Sequence, residues 1–566
     1  MASRPQIYGL LIVVAVSLAA SRIVSAQRVY EPAMATDGRK DDWRGSWPDK
    51  RPKPAATYSS NDRSRWATVR ALVDEGTYVV GTRDCRLVAY SAIAPLAGGN
   101  VLEAAILAQA GYLVRTKDND LFKRPDKTSP KLPDRGIIFE NGWESIDRVL
   151  KPTPVVGEDG TPLHWEFYSS KPPLLATLMA GLYWLLQQIT GWTLANQYVE
   201  TVRVLLLIIH PLPFALYLWV LGQMAERYGR TDWGRFFVMA AGCFATLLPA
   251  FLNTFNNHTL GTFSVLFALY SVTAIWEKRQ SAKPQAVGHH YFLAGLFAAF
   301  AAANELPALS FACAVGLLLM WRSPVRTLCF FVPPALLIAA GFLWTNYLAV
   351  GQLRPAYSEF GGPPPFQRKV LGDLDEKELG SPWYQYEGSH WRKPVVGQSP
   401  RHGIDWARYY ENRWSYALHL LVGHHGVFSL TPIWLLAFIG MIVGLTGRGT
   451  AASVASQPSP ASPTALPWFI APLTLIVSLV VIGFYLVMSE NYGGFAIGPR
   501  WLIWLTPLWL VCLLPVADWL AASRWGRGLA LILLGISTFS AFYSNWNPWR
   551  HPWIYDFLEW MGWIGY

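Results

Sequence analysis

Residues 326–354 read RTLCFFVPPALLIAAGFLWTNYLAVGQLR, and the 27 residues between Arg326 and Arg354 carry no charged side chain. The hydrocarbon core of a bilayer takes roughly 20 apolar residues per helix, so this stretch reads as a membrane span. Two longer runs say the same, 41 uncharged residues between Arg235 and Glu277 and 34 between Arg413 and Arg448. Across the chain 52% of the 566 residues are hydrophobic and 15% are charged, against about 25% charged in soluble proteins. The deficit falls in blocks, so it marks spans.

Read outward from these runs, the candidate spans are residues 5–26, 201–223, 235–253, 259–276, 288–304, 306–322, 327–350, 427–447, 466–488, 500–518 and 527–544. The stretch 173–190 is also apolar, and charge bias decides its reading. If it does not cross and the N-terminus lies inside, Arg227, Arg230, Arg235, Lys278, Arg279, Lys283, Arg322, Arg326, Arg448, Arg524 and Arg527 all fall on the inner side. Arg500 is then alone in the short outer loops. If it crosses, every later loop inverts and the basic loops face outward, against the positive-inside rule. The stretch is therefore read as a juxtamembrane helix at the outer surface. The fold class expected is an all-α polytopic membrane protein with about eleven transmembrane helices, juxtamembrane helices and two large outer loops.

The organisation follows. Residues 1–26 form the first transmembrane helix. Val24-Ser25-Ala26 resembles a signal-peptidase site, but the segment is long enough to span, and a retained helix is expected. Residues 27–200 form an outer loop with juxtamembrane helices, its stretch 31–54 extended. Residues 201–350 form a transmembrane core, 351–426 a lid-like outer loop, and 427–566 the C-terminal helices, interrupted by an Ala-, Ser- and Pro-rich cytoplasmic linker at 449–464. The net charge of +10 comes from short clusters between apolar runs, the pattern of membrane loops rather than of a nucleic-acid surface. Of the cysteines, Cys243, Cys313, Cys329 and Cys512 lie in apolar runs and only Cys85 lies in a water-facing loop; no CxxC spacing occurs.

Chemistry-bearing residues collect on the face read as outer. In Ser59-Ser60-Asn61-Asp62-Arg63-Ser64-Arg65-Trp66, Asp62 opens a helical pattern that runs to Glu75 and stops at Gly76. Its carboxylate suits a general base, or plain helix capping by Asn61 and Asp62. In Tyr168-Ser169-Ser170-Lys171-Pro172-Pro173, Lys171 at a helix start suits a phosphate, or interfacial snorkelling. Glu166 is a second carboxylate at that boundary. The turn Asn253-Thr254-Phe255-Asn256-Asn257-His258-Thr259 offers Asn256, Asn257 and His258 to sugar hydroxyls, or simply forms a turn. Glu305, in Asn304-Glu305-Leu306-Pro307, is an acidic residue at membrane depth, a functional candidate by default, or a cap for the next helix. Arg500, in Gly498-Pro499-Arg500-Trp501, matches a lipid phosphate, or anchors at the interface. His424 and His425 are adjacent; on a helix they would diverge and share no metal. No metal-ligand set stands out.

The order of these motifs resembles the GT-C membrane glycosyltransferases: an Asp after the first span, a Lys-Pro-Pro surface helix, an Asn-Asn-His-Thr turn, and Gly-Pro-Arg before a late span. The nearest likeness is to the branch of the protein O-mannosyltransferases, the aminoarabinose transferases and the RgtA/B/C/D-like enzymes. It covers roughly residues 55–350, and the C-terminal third loosely. The resemblance implies that Asp62 is the catalytic aspartate and that Lys171 stands near the donor phosphate. It implies a single inverting displacement in which a sugar passes from a polyprenyl-phosphate-linked donor to a lipid, glycan or protein acceptor. The chain departs from the family pattern at Asn61 and Arg63, which flank Asp62 where a second acidic residue is common, and at Ser170, where His is common. Some members use a divalent cation. The expected location is the plasma (inner) membrane, with the active site facing outside the cytoplasm. The other class considered is a transporter or flippase of lipid-linked sugars, but the inverted repeats common in transporters are not seen here.

Overall fold

The computed structural model describes residues 3–25, 56–84, 86–88, 113–115, 121–123, 134–158, 162–278, 287–361, 381, 383–384, 386, 388–391, 404–409, 411–446, 464–489, 491–543 and 547–564. The expected extended stretch 31–54 and Cys85 lie outside these residues, and so does the linker apart from its last residue. The described residues are mostly helical. Among the described residues, eight helices are long and apolar enough to cross a membrane: Arg4–Ser25, Tyr198–Tyr228, Asp232–Phe251, Asn257–Glu277, Pro324–Val350, Ile470–Met488, Arg500–Leu520 and Arg524–Tyr543. The other three expected spans are helices too, but shorter: Gly288–Asn304, Leu306–Arg322 and Ile433–Leu445. Pro432 stands just before the last of these and Thr431 breaks the expected run at 427–447. The helix Pro173–Thr190 is not among the eight.

The chain divides into two compact units. The first, here the helical unit, comprises Met1–Ala56, Val202–Ala339 and His402–Tyr566. Its central helices, Asp232–Phe251, Asn257–Glu277 and Arg500–Leu520, bury about four-fifths of their apolar windows, 78%, 83% and 83%. Arg524–Tyr543 buries only 22% and turns Leu529, Leu531, Ile532 and Phe539 outward. Such apolar exposure would be a liability in water and suits lipid. Small residues let the helices close up. A Cβ on Gly440 would stand 1.9 Å from the Cys512 carbonyl oxygen, and one on Gly295 would stand 2.1 Å from that of Phe331.

The second, here the loop unit, comprises Thr57–Thr201 and Ala340–Arg401, so it joins most of the first expected loop to the first part of the second. It is not purely helical. Strand Pro162–Ser169 is flanked by Gly81–Asp84 and Arg148–Leu150, with Val155–Val156 also paired to it, all antiparallel. Three short strands, Arg86–Val88, Leu121–Lys123 and Leu113–Arg115, form a second antiparallel sheet. These strands are a difference from the all-α expectation. Their signal is local: Trp165 and Phe167, two apart, are both fully buried, the alternation that a half-buried strand requires. Phe167 packs edge-on against Phe139 and Tyr386, at 5.1 and 5.6 Å between ring centres, and Arg83 stands over it at 5.3 Å.

The first-loop helix, Ser60–Arg70, continues through one wide turn, Ala71–Glu75, and ends at Gly76 with φ of 68°, as its sequence predicts. Its start differs from the expectation. Ser59, not Asn61 or Asp62, is the cap, and its hydroxyl accepts from the Asp62 amide at 3.1 Å. Asp62 is the third helical residue, and its Oδ2 accepts from the Tyr58 amide at 3.4 Å. Asp62 thus reaches back past the cap to the Tyr58 amide, and the pair is not the reciprocal capping box. Ser59 wins because its hydroxyl is one helical turn back, within reach of the free amide.

Candidate functional site

In the loop unit, the face of the first-loop helix carrying Ser60, Ser64 and Thr68 is laced to the chain around Asp147 and Ser169. Ser60 Oγ accepts from the amide of Asp147 at 2.9 Å. Ser64 Oγ donates to the Asp147 carbonyl at 2.6 Å and meets Ser169 Oγ at 2.6 Å. Ser169 Oγ accepts from the Lys171 amide at 3.1 Å. The Lys171 ammonium lies 2.7 Å from Asp147 Oδ1. Pro172 and Pro173 then begin the helix Pro173–Thr190, so the ammonium stands at a helix N-terminus as expected. Asp147, absent from the candidates read in sequence, is 7% exposed. Nothing local distinguished Ser145-Ile146-Asp147 from an ordinary loop.

Lys171 lines a small cleft with Thr68, Tyr78, Tyr168, Ser169 and Asn346. Asn346 is fully buried, and its Oδ1 has no hydrogen-bond partner in the protein. The cleft is therefore lined by residues that carry an ammonium, hydroxyls and an amide. Asp62 does not line it, but its side chain is fully buried. Glu166 is held on its strand, where Oε2 accepts from the Tyr168 hydroxyl at 2.5 Å. Burial, reinforced by this carboxylate, raises the Tyr168 pKa. Glu166 thus has a structural partner.

In the helical unit, residues read separately from three turns come together. Glu305, 4% exposed, accepts at Oε1 from Asn257 Nδ2 at 2.6 Å and pairs with His258 Nδ1. Asn257 Nδ2 also reaches the Asn304 carbonyl at 2.9 Å. A carboxylate on Nδ1 places the ring proton there, so His258 Nε2 is the accepting nitrogen, and the Arg500 guanidinium lies 3.4 Å from it. Arg500 is further held by the Gly493 carbonyl at 2.7 Å and stands over Trp549 at 4.7 Å. Acid, imidazole and guanidinium form one chain that can hold an anion at the arginine and a proton at the histidine. Asn256 does not join it. Its amide nitrogen donates to the carbonyls of Phe251 and Thr254, each at 2.8 Å, and its Oδ1 accepts from the Thr259 amide at 3.0 Å, so it ties the turn together.

One further group lies in this unit. Glu411, His419 and His424 are the described residues whose donor atoms converge closely enough to hold a metal ion. His424 and His425 lie in a turn between helices Arg413–Leu421 and Val427–Leu430, not on a helix as expected. Their rings do not diverge, and the two Nδ1 atoms are 2.5 Å apart. No family model, curated protein or solved structure matches the chain.

Proposed function

We propose that the chain is an integral membrane glycosyltransferase of GT-C type, with eleven crossings, that transfers a sugar from a polyprenyl-phosphate-linked donor to a lipid, glycan or protein acceptor outside the cytoplasm. The observation that carries this reading is the complete burial of Asp62. Taking an ionised carboxylate out of water costs several kcal/mol, which capping alone does not require. A sequestered carboxylate after the first span is suited to accept a proton.

In the reaction, the acceptor hydroxyl oxygen attacks the anomeric carbon and Asp62 takes the hydroxyl proton. The bond from that carbon to the phosphate oxygen breaks, and polyprenyl phosphate leaves with the electron pair. Fixed positive charge stabilises that departing phosphate. Lys171 in the loop unit and Arg500 in the helical unit are separate candidates for this, each supported by its own surroundings. The test is sugar transfer by the purified protein in detergent from a polyprenyl-phosphate sugar. A transferase turns over without a sealed membrane, and a transporter does not. Asp62→Asn keeps a side-chain oxygen for the Tyr58 amide and leaves Ser59 as the cap, so helix stability should hold, while transfer falls about 10²–10⁴-fold. Wild-type turnover in that variant removes Asp62 from the chemistry, with Glu166 and Glu305 next to test.

A further inference from the structure

The stretch from Glu411 to Gly426 is not used by the transferase reading. Asn412 caps the helix Arg413–Leu421, its side chain accepting from the Ser415 amide at 2.8 Å. Glu411 thus lies just outside one end of this short helix and His419 lies in its last turn. The following turn brings His424 back against His419, the two rings stacked 4.1 Å apart and 16° from parallel. One donor atom from each of Glu411, His419 and His424 lies within 4.8 Å of the others. We infer that Glu411, His419 and His424 form a binding site for a divalent transition-metal ion of the zinc class.

Two imidazoles and a carboxylate are a zinc-type donor set, three protein ligands with one position left open. Imidazole suits zinc, copper, iron and nickel, and a carboxylate does not move the set toward the soft metals that thiolates select. Bonds of about 2.1 Å place tetrahedral donors about 3.4 Å apart, so binding requires one imidazole to turn out of the stack until the two ring-plane lone pairs meet. The surroundings are those that orient ligands. Glu411 accepts a hydrogen bond from the Tyr492 hydroxyl, and Tyr492 is fully buried. His424 Nδ1 is engaged by His425 Nδ1 at 2.5 Å, so Nε2 is the nitrogen that would take the metal. Such outer partners fix the tautomer and the ring orientation. His425, also fully buried, stacks on Tyr492 at 5.1 Å and closes the wall behind the pair. His419 Nδ1 is buried without a hydrogen-bond partner in the protein.

The site is independent of the transferase reading. The test uses the full chain purified in detergent, stripped with a chelator, reloaded with zinc and measured by elemental mass spectrometry. About one zinc per chain is expected. The same occupancy is expected in Asp62→Asn and Lys171→Ala, which separates this site from any ion bound at the proposed catalytic groups. Glu411→Gln, His419→Ala and His424→Asn should fall to background. Tyr492→Phe, which removes only the hydroxyl on Glu411, should weaken zinc about 10–100-fold. Glu411 is only half-buried, so Glu411→Gln is the variant expected to stay monodisperse in size exclusion. Should the histidine variants aggregate, cobalt in the unaltered chain decides: visible d–d bands of a tetrahedral nitrogen–oxygen site, quenched by zinc, are expected. No bound zinc and no cobalt band in the unaltered chain overturns the assignment, as does full zinc occupancy in Glu411→Gln.

Discussion

At the residue scale, the two candidate cations are held in different ways, and this sets how their removal should read out. The Lys171 ammonium is committed to Asp147 at 2.7 Å, with side chains 21% and 9% exposed. Arg500 is fixed by a carbonyl and an indole face, with His258 at one amine. A hydrogen bond to a charged group contributes about 1.5–3 kcal/mol, which corresponds to about tenfold or more in rate. Lys171→Ala and Arg500→Ala should each lower donor-dependent transfer by at least that factor. Unchanged donor dependence in both would remove the phosphate role. Kinetics against varied polyprenyl-phosphate sugar at fixed acceptor make the check. Lys171→Ala should also lower the melting temperature, because it leaves the Asp147 carboxylate largely buried without this partner; a stability loss without a rate loss would make the pair structural.

At the element scale, helix packing depends on particular glycines. Between Ile433–Leu445 and Thr506–Leu520, a Cβ on Gly440 would lie 1.9 Å from a backbone oxygen, which no rotamer change relieves. Overpacking of this kind costs about 1–3 kcal/mol. Gly440→Ala should therefore lower the melting temperature, while Gly528→Ala, with open space around it, should not. The segment Trp553–Trp560 gives a pH prediction. His551, just before it, stacks on Tyr555 at 3.8 Å, and burial lowers its pKa from 6.5 to about 4, partly countered by Asp405. Between these values the unfolded chain binds the proton and the folded chain does not, so stability rises with pH. The contribution is complete above about pH 6.5 and is lost as pH falls toward 4. Melting temperatures measured across this window in chelator-treated protein should fall less steeply in His551→Phe than in the unaltered chain. Equal slopes would mean that His551 does not carry the effect.

At the scale of the whole molecule, the prediction concerns sidedness. Ala195 and Arg230 are both exposed and flank the long helix Tyr198–Tyr228. If Pro173–Thr190 does not cross, a membrane-impermeant thiol reagent added outside should label Ala195→Cys and spare Arg230→Cys, in a background lacking the native cysteines. The reverse pattern would place the basic loops outside and reject an outward-facing reaction.

The membrane class of this protein was legible in the sequence, because the need for about 20 apolar residues per span is a local property of the chain. All eleven expected spans lie on helices, ten of them close to where the apolar runs place them and the eleventh starting only at Ile433, and the end of the first-loop helix falls at Gly76. The individual candidates Lys171, His258, Glu305 and Arg500 were legible too, because a charged or polar group beside an apolar run stands out. Only the tertiary structure decided their partners. Glu305 and His258 are 47 residues apart and Arg500 and His258 are 242 apart, so no periodicity links them. Asp147 and Glu411 have no local mark at all, since a carboxylate in a loop is ordinary until packing sets a lysine or two imidazoles beside it. The strand around Trp165 and Phe167 lies between these cases. Its alternation is local, but its burial depends on Gly81–Asp84 and Arg148–Leu150 coming to its two edges. Apolar patterning reports what each segment must hide, and packing alone determines what each hidden group meets.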